Sequence, residues 1–121
     1  MPQKILVIDD DPGIIRLLQS QLEANGYQVI PASTGRAGWE HLLKEQPDLV
    51  ILDVVLPDID GFEVCDQIRS HQQFCNTPLI MLTVRSSNED KGIGFRKGAD
   101  SYVPKPFQIK YLLNEIRILL K

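Results

Sequence analysis

Short apolar runs recur along this chain with room for one helix between each pair, and nothing else in the sequence restricts the fold so strongly. Ile5–Ile8, Leu49–Leu52 and Leu79–Leu82 contain only Ile, Leu, Val and Met. Runs of that length are strand-sized. They do not alternate apolar with polar residues, so both faces must be buried, as in a parallel sheet covered by helices. Val29–Ile30 and, more weakly, Ser101–Val103 extend the series.

The segments between the runs carry a helical period. Ile14, Ile15, Leu18 and Leu22 share one face, and Trp39, Leu42 and Leu43 share another. Cys65 and Ile68 follow Gly61 on one side, and Ile109, Leu112, Leu113, Ile116, Leu119 and Leu120 make the strongest stripe. Asp11-Pro12 reads as an N-cap with Pro at the first helical position. Gly26 after Asn25 reads as the matching stop. Ser86 with Glu89, or Ser87 with Asp90, offers a capping box for the fourth helix, and Gly98 ends it. Strand–helix alternation with right-handed crossovers predicts an α/β fold, a single doubly wound (βα)5 unit over residues 1–121.

Composition narrows the function classes. With 121 residues, 43% of them apolar, the chain is long enough to bury a core without metal or disulfide staples. Sixteen acidic against 13 basic residues give a net charge of −3, the wrong sign for direct nucleic-acid contact. No apolar run approaches a membrane span. The opening Met-Pro-Gln-Lys runs straight into a strand, so no signal peptide is visible and a cytoplasmic location is expected. Cys65 and Cys75 are then expected to be free thiols.

In a doubly wound sheet, ligands gather at the carboxyl ends of the strands. Asp9-Asp10-Asp11 follows the first strand, Asp53 ends the third, Thr83 ends the fourth and Lys105-Pro106 follows the fifth. Each has a plain structural explanation alone: an acidic helix start, a turn residue, a locally satisfied hydroxyl, a surface lysine. Their common position after different strands is what these explanations leave unaccounted for. Clustered carboxylates raise one another's pKa, and a hard divalent cation, Mg2+ above all, relieves the repulsion. Mg2+ in turn suits a phosphoryl group. A carboxylate can accept that group as an acyl phosphate, with Thr83 and Lys105 placed to meet its oxygens.

The motifs now on the page resemble the response-regulator receiver family. They are Ile5 to Pro12, Pro47 to Asp53, Leu56 to Gly61, Pro78 to Thr83, Lys97 to Asp100 and Lys105-Pro106-Phe107. Six motifs in order cover essentially the whole chain. The resemblance implies a flavodoxin-like sheet of strand order 2-1-3-4-5. It implies that Asp53 is the phosphoacceptor, that Asp10, Asp53 and the Val55 backbone carbonyl hold Mg2+, and that Asp9 does so through water. It makes Thr83 the switch hydroxyl, Tyr102 the rotating aromatic coupled to it, and Lys105 the phosphate contact. It also implies a cis peptide between Lys105 and Pro106. Gly61 would permit a tight turn beside the site.

The phosphoryl donor implied is a sensor histidine kinase or a histidine phosphotransfer protein. The response is a change in the face made by the fourth helix, fifth strand and fifth helix. The Leu-Thr-x-Arg run and Lys-Pro-Phe are nearest to receivers of winged-helix transcription factors. Those pair through charges on that face, here Asp100, Lys91 and Arg117. Ser101, Tyr111 and Glu115 depart from that pattern, and Tyr102 and Tyr111 are expected as an exposed pair there. Val84 is larger than the residue usual after the switch hydroxyl and is expected to narrow access to Asp53, and the resemblance places Val55 and Arg85 beside the site at positions that tune the lifetime of the phosphorylated state.

Other classes fit less well. An aspartate-nucleophile phosphatase usually has a second acid two residues after the nucleophile, where this chain has Val55. A phosphate-independent interaction module would not need Asp9, Asp10, Asp53, Thr83 and Lys105 together. A nucleotide-binding flavodoxin relative would show a glycine-rich loop after the first strand, and none is present.

Overall fold

The computed structural model describes residues 2–121. Five strands and five helices alternate: β1 Lys4–Ile8, α1 Pro12–Ala24, β2 Gln28–Ala32, α2 Gly35–Glu45, β3 Leu49–Leu52, α3 Gly61–Ser70, β4 Leu79–Thr83, α4 Asn88–Lys97, β5 Ser101–Pro104 and α5 Ile109–Leu120. All strand pairs are parallel, in the order β2-β1-β3-β4-β5. Strand order reverses at β1, so β1 and β3 flank the switch point, where doubly wound sheets open a crevice.

The unbroken apolar runs have the expected cause. Ile5 and Val7 of β1 face a core with Leu18, Leu22, Leu112 and Ile116, while Leu6 and Ile8 face one with Leu42, Val64, Cys65 and Ile68. Each strand residue lands in one of two cores by the period-two alternation of side chains. The second helix departs from expectation at Leu43, which is 45% exposed. Its inward line runs through Gly38 and Leu42; a Cβ on Gly38 would lie 2.5 Å from Ile8 Cδ1. The helix packs backbone-close there, which turns Leu43 toward water.

Helix ends are closed as the sequence implies. Asp11 accepts from Gly13 N at 2.8 Å, and Gly26 follows α1 at φ +89°. Ser87, rather than Ser86, caps α4: its Oγ accepts from Asp90 N at 3.0 Å and donates to the Asp90 carboxylate at 2.8 Å. The far end of α4 is held more firmly. Gly98 terminates it in the left-handed region, and the Arg69 guanidinium donates to Gly98 O at 3.0 Å, Thr77 O at 2.6 Å and Asp100 Oδ2 at 3.0 Å. Lys97 pairs with Asp66 at 2.7 Å. Cys65 and Cys75 are free thiols, the first buried and the second exposed. Among the described residues no helix is long and apolar enough to cross a membrane.

Candidate functional site

The carboxyl edge of the sheet gathers the polar residues that the apolar strands end on. Asp9, Asp53 and Thr83 are all buried, unusual for such side chains unless partnered. The pairing of Ile8 with Leu52 brings Asp9 and Asp53 side by side, and Asp53 N donates to Ile8 O at 2.9 Å. Each carboxylate is oriented by its own turn. Asp9 Oδ1 accepts from Asp11 N at 2.9 Å, and Asp53 Oδ1 accepts from Val55 N at 3.1 Å. Asx turns of this kind hold the second oxygen free to face inward.

Both second oxygens meet Lys105. Its Nζ donates to Asp9 Oδ2 at 2.7 Å and to Asp53 Oδ2 at 3.0 Å. The lysine arrives because β5 pairs Pro104 with Thr83 and Lys105 N donates to Thr83 O at 2.8 Å. The Lys105-Pro106 peptide is cis, in agreement with the resemblance. Burial raises the Asp9 pKa, and the Lys105 and Asp11 hydrogen bonds offset this only in part. For Lys105 burial is the largest single influence and acts downward, yet the hydrogen bonds and charges of Asp9 and Asp53 together outweigh it and raise its pKa.

Asp10 is exposed, but its carboxylate lies within 4.8 Å of those of Asp9 and Asp53. Among the described residues these three carboxylates meet one ammonium, that of Lys105, which bonds Asp9 and Asp53, so negative charge is in excess. An all-oxygen cluster with that excess fits a hard divalent cation. Val55, on the same turn, is half exposed, and Val84, next to Thr83, is 63% exposed.

Thr83 and Tyr102 are linked through the backbone of one residue, Arg85. The Arg85 N–H donates to Thr83 Oγ1 at 3.3 Å, and the Tyr102 hydroxyl donates to the Arg85 carbonyl. Tyr102 is not the exposed residue anticipated: it is 7% exposed and lies under α4. Gly94 makes the room, since a Cβ there would sit 2.7 Å from two ring carbons. Tyr111 is exposed, as expected. Of the charges named for pairing on this face, Asp100 is engaged within the chain: its Oδ2 accepts from Arg69 and from Leu79 N. Two of the departures from the pattern bond each other, Glu115 accepting from Ser101 Oγ at 2.6 Å.

Sequence reasoning missed Asp58 and gave Arg85 a place beside the site without its partners. Arg85 joins Thr83 and Tyr102 through its backbone, while its guanidinium pairs with Asp90 at 2.6 Å and lies 5.4 Å from the centre of the Phe62 ring. Asp58 reaches from the β3–α3 loop to α2. The only signal for either was membership in a motif, which says nothing about partners.

Comparisons with known proteins agree with this geometry. The family model described as the response regulator receiver domain matches residues 5–117. The alkaline phosphatase synthesis transcriptional regulatory protein PhoP of Bacillus subtilis is 44% identical over all of this chain and 50% of its own length. The transcriptional regulatory protein GltR of Pseudomonas aeruginosa is 45% identical over 98% of this chain and 49% of its own. The chain thus spans about half the length of the curated relatives it matches. Among solved structures, a CheY-like receiver domain protein from Methanospirillum hungatei superposes with TM-score 0.93 at 31% identity, covering 99% of this chain and 94% of that one. The BeF3-activated N-terminal receiver domain of Klebsiella pneumoniae RstA gives 0.92 at 30% identity, covering 98% and 99%. The family match runs from the first strand into the last helix, and the carboxylate rim falls where the strand order reverses; this chain belongs to the response regulator receiver domain family.

Proposed function

We propose that residues 1–121 act as one receiver domain whose Asp53 accepts a phosphoryl group from a phosphohistidine on a sensor histidine kinase or a histidine phosphotransfer protein. The observation that carries this is the buried Asp53 carboxylate, oriented by Val55 N and met by the Lys105 ammonium beside two further acids. In the transfer an Asp53 oxygen attacks phosphorus, the P–N bond breaks and the donor imidazole leaves. Lys105 moves from pairing two carboxylates to pairing a phosphoryl oxygen, a charge-assisted bond. Asp10, Asp53 and the Val55 carbonyl would hold Mg2+, with Asp9 reached through water; bound there, Mg2+ neutralises charge on the transferring oxygens.

The readout follows from the shared residue, Arg85, whose N–H meets Thr83 and whose carbonyl meets Tyr102. A phosphoryl group adds about −1.5 to −2 charges and offers Thr83 a stronger partner than the Arg85 N–H. Once Thr83 turns toward it, the Arg85 backbone loses the restraint on its N–H, and the carbonyl that the Tyr102 hydroxyl bonds is freer to shift. The α4-β5-α5 face is thereby biased between two states and could serve a downstream partner or a second copy of the chain. The domain promotes only its own phosphorylation and dephosphorylation.

Incubation with acetyl phosphate and Mg2+, followed by mass spectrometry, tests the reading. One phosphoryl group on Asp53, absent from Asp53→Asn, supports it. A protein that binds Mg2+ but takes no label from acetyl phosphate or a phosphorylated kinase overturns it.

A further inference from the structure

The β3–α3 loop, residues 53–60, carries both the Asp53 carboxylate and the Val55 peptide. Its end is fixed locally: Asp60 accepts from Phe62 N at 2.8 Å, and Gly61 N donates to Val54 O at 2.8 Å. In its middle Val55 and Pro57 face solvent, while Leu56 and Ile59 pack against the core. Asp58 supplies an anchor on another element. Its Oδ1 accepts from Gly35 N and its Oδ2 from Arg36 N, each at 2.9 Å.

That arrangement is more than a helix needs. Thr34 already caps α2, taking the Ala37 N–H at 2.9 Å. Asp58 closes the two remaining first-turn amides from 23 and 22 positions away. Ile59 reinforces the contact: a Cβ on Gly35 would lie 2.1 Å from Ile59 Cγ2, so the loop can seat only because residue 35 is glycine. Asp58 lies outside the carboxylate cluster, which among the described residues comprises Asp9, Asp10 and Asp53.

We infer that Asp58 is a positioning residue for the cation site: by clasping the β3–α3 loop to the start of α2, it fixes the Val55 peptide relative to the Asp53 carboxylate. The inference rests on the reading of Asp10, Asp53 and Val55 as cation ligands. Asp58 acts on the site through backbone geometry rather than by ligation. Outer groups that orient ligands commonly matter tenfold or more in metal affinity.

Calorimetric titration with Mg2+ compares the wild type, Asp58→Ala, Asp58→Asn and Thr34→Ala. Thr34→Ala loosens the same helix end without touching the loop. Asp58→Ala is expected to bind Mg2+ about tenfold more weakly, Asp58→Asn, with one acceptor left, to fall between, and Thr34→Ala to stay within about twofold of the wild type. Should Asp58→Ala unfold, Asp58→Asn decides. Asp58 variants that bind as the wild type does, or a Thr34→Ala loss equal to theirs, overturn the inference. A wild type that takes up no Mg2+ overturns the cation reading instead, and that result precedes any comparison of variants.

Discussion

The Lys105 ammonium lies 3.0 Å from the Asp53 carboxylate, 52 positions away in sequence, and the same nitrogen lies 2.7 Å from Asp9. One cation therefore offsets two buried anions. Lys105→Ala leaves them facing each other with no cation between them. It should lower stability at neutral pH by about 3 kcal/mol, the low end for breaking a buried pair. Because Asp9 already protonates more readily than an ordinary carboxylate, the deficit should shrink as pH falls toward 5, and Mg2+ should restore part of it at pH 7. Urea unfolding at both pH values, with and without Mg2+, measures this. A deficit independent of pH and cation would contradict the pairing.

Tyr102 carries an alkaline signature. Burial pushes its phenol up to about 12 from an ordinary 10.0. The unfolded chain then loses this proton first, so the folded state loses stability as pH rises from 10 toward 12. Lys105, also raised, acts in the same sense, its contribution being complete below its ordinary pKa. Tyr102→Phe should flatten the stability profile across that window. At neutral pH it should cost about 1 kcal/mol for the lost bond to the Arg85 carbonyl. Thermal melts at graded pH would show a parallel, unflattened profile if the hydroxyl were solvated.

The two thiols should differ sharply in reactivity. Burial raises the Cys65 thiol to about 11, whereas Cys75 is exposed. The thiolate is the reactive form. Iodoacetamide at pH 8 should therefore modify Cys75 alone in the folded protein and both residues in urea. Peptide mapping that finds Cys65 alkylated without denaturant would argue against the packing of α3 described above.

Gly61 is confined by backbone rather than by a flexible neighbour. A Cβ there would lie 2.2 Å from the Asp53 carbonyl oxygen and 2.6 Å from Val54 Cα. Neither atom can move without shifting Asp53 itself. Gly61→Ala should destabilise by about 3 kcal/mol, at the upper end for overpacking. It should also slow labelling of Asp53 by acetyl phosphate. Calorimetry and labelling rates together check it; an unchanged melting point would mean the loop is looser than drawn.

Much of this was legible because it depends on spacing. Unbroken apolar runs imply two-sided burial, two-sided burial implies helices on both faces, and the topology then fixes which residues share the rim. Asp9, Asp53, Thr83 and Lys105 could be collected on that logic alone. What escaped depends on the third dimension. Tyr102 was expected at the surface because nothing in its own strand shows that Gly94, on another element, leaves space for its ring. Leu43 fits the apolar period but lies beyond the line where Gly38 brings α2 close to β1. The partners of Asp58 and the part played by Arg85 escaped for a related reason: Asp58 bonds backbone amides and Arg85 offers its own backbone, and every residue has those groups while no sequence marks them.

The grip of Arg69 on the end of α4 has a mechanical consequence. Its guanidinium and the Lys97–Asp66 pair hold the carboxyl end of that helix to α3, the loop before β4 and the start of β5. The opposite end is held by Ser87, Asp90 and Arg85 through bonds open to water. A helix clamped at one end and lightly tethered at the other behaves as a lever with its pivot at Gly98. Amide exchange should be graded along it, fastest near Asn88. A disturbance of Arg85 would then swing the α4 tip while its root stays still, so a small change at the rim would be displayed at the point of greatest travel.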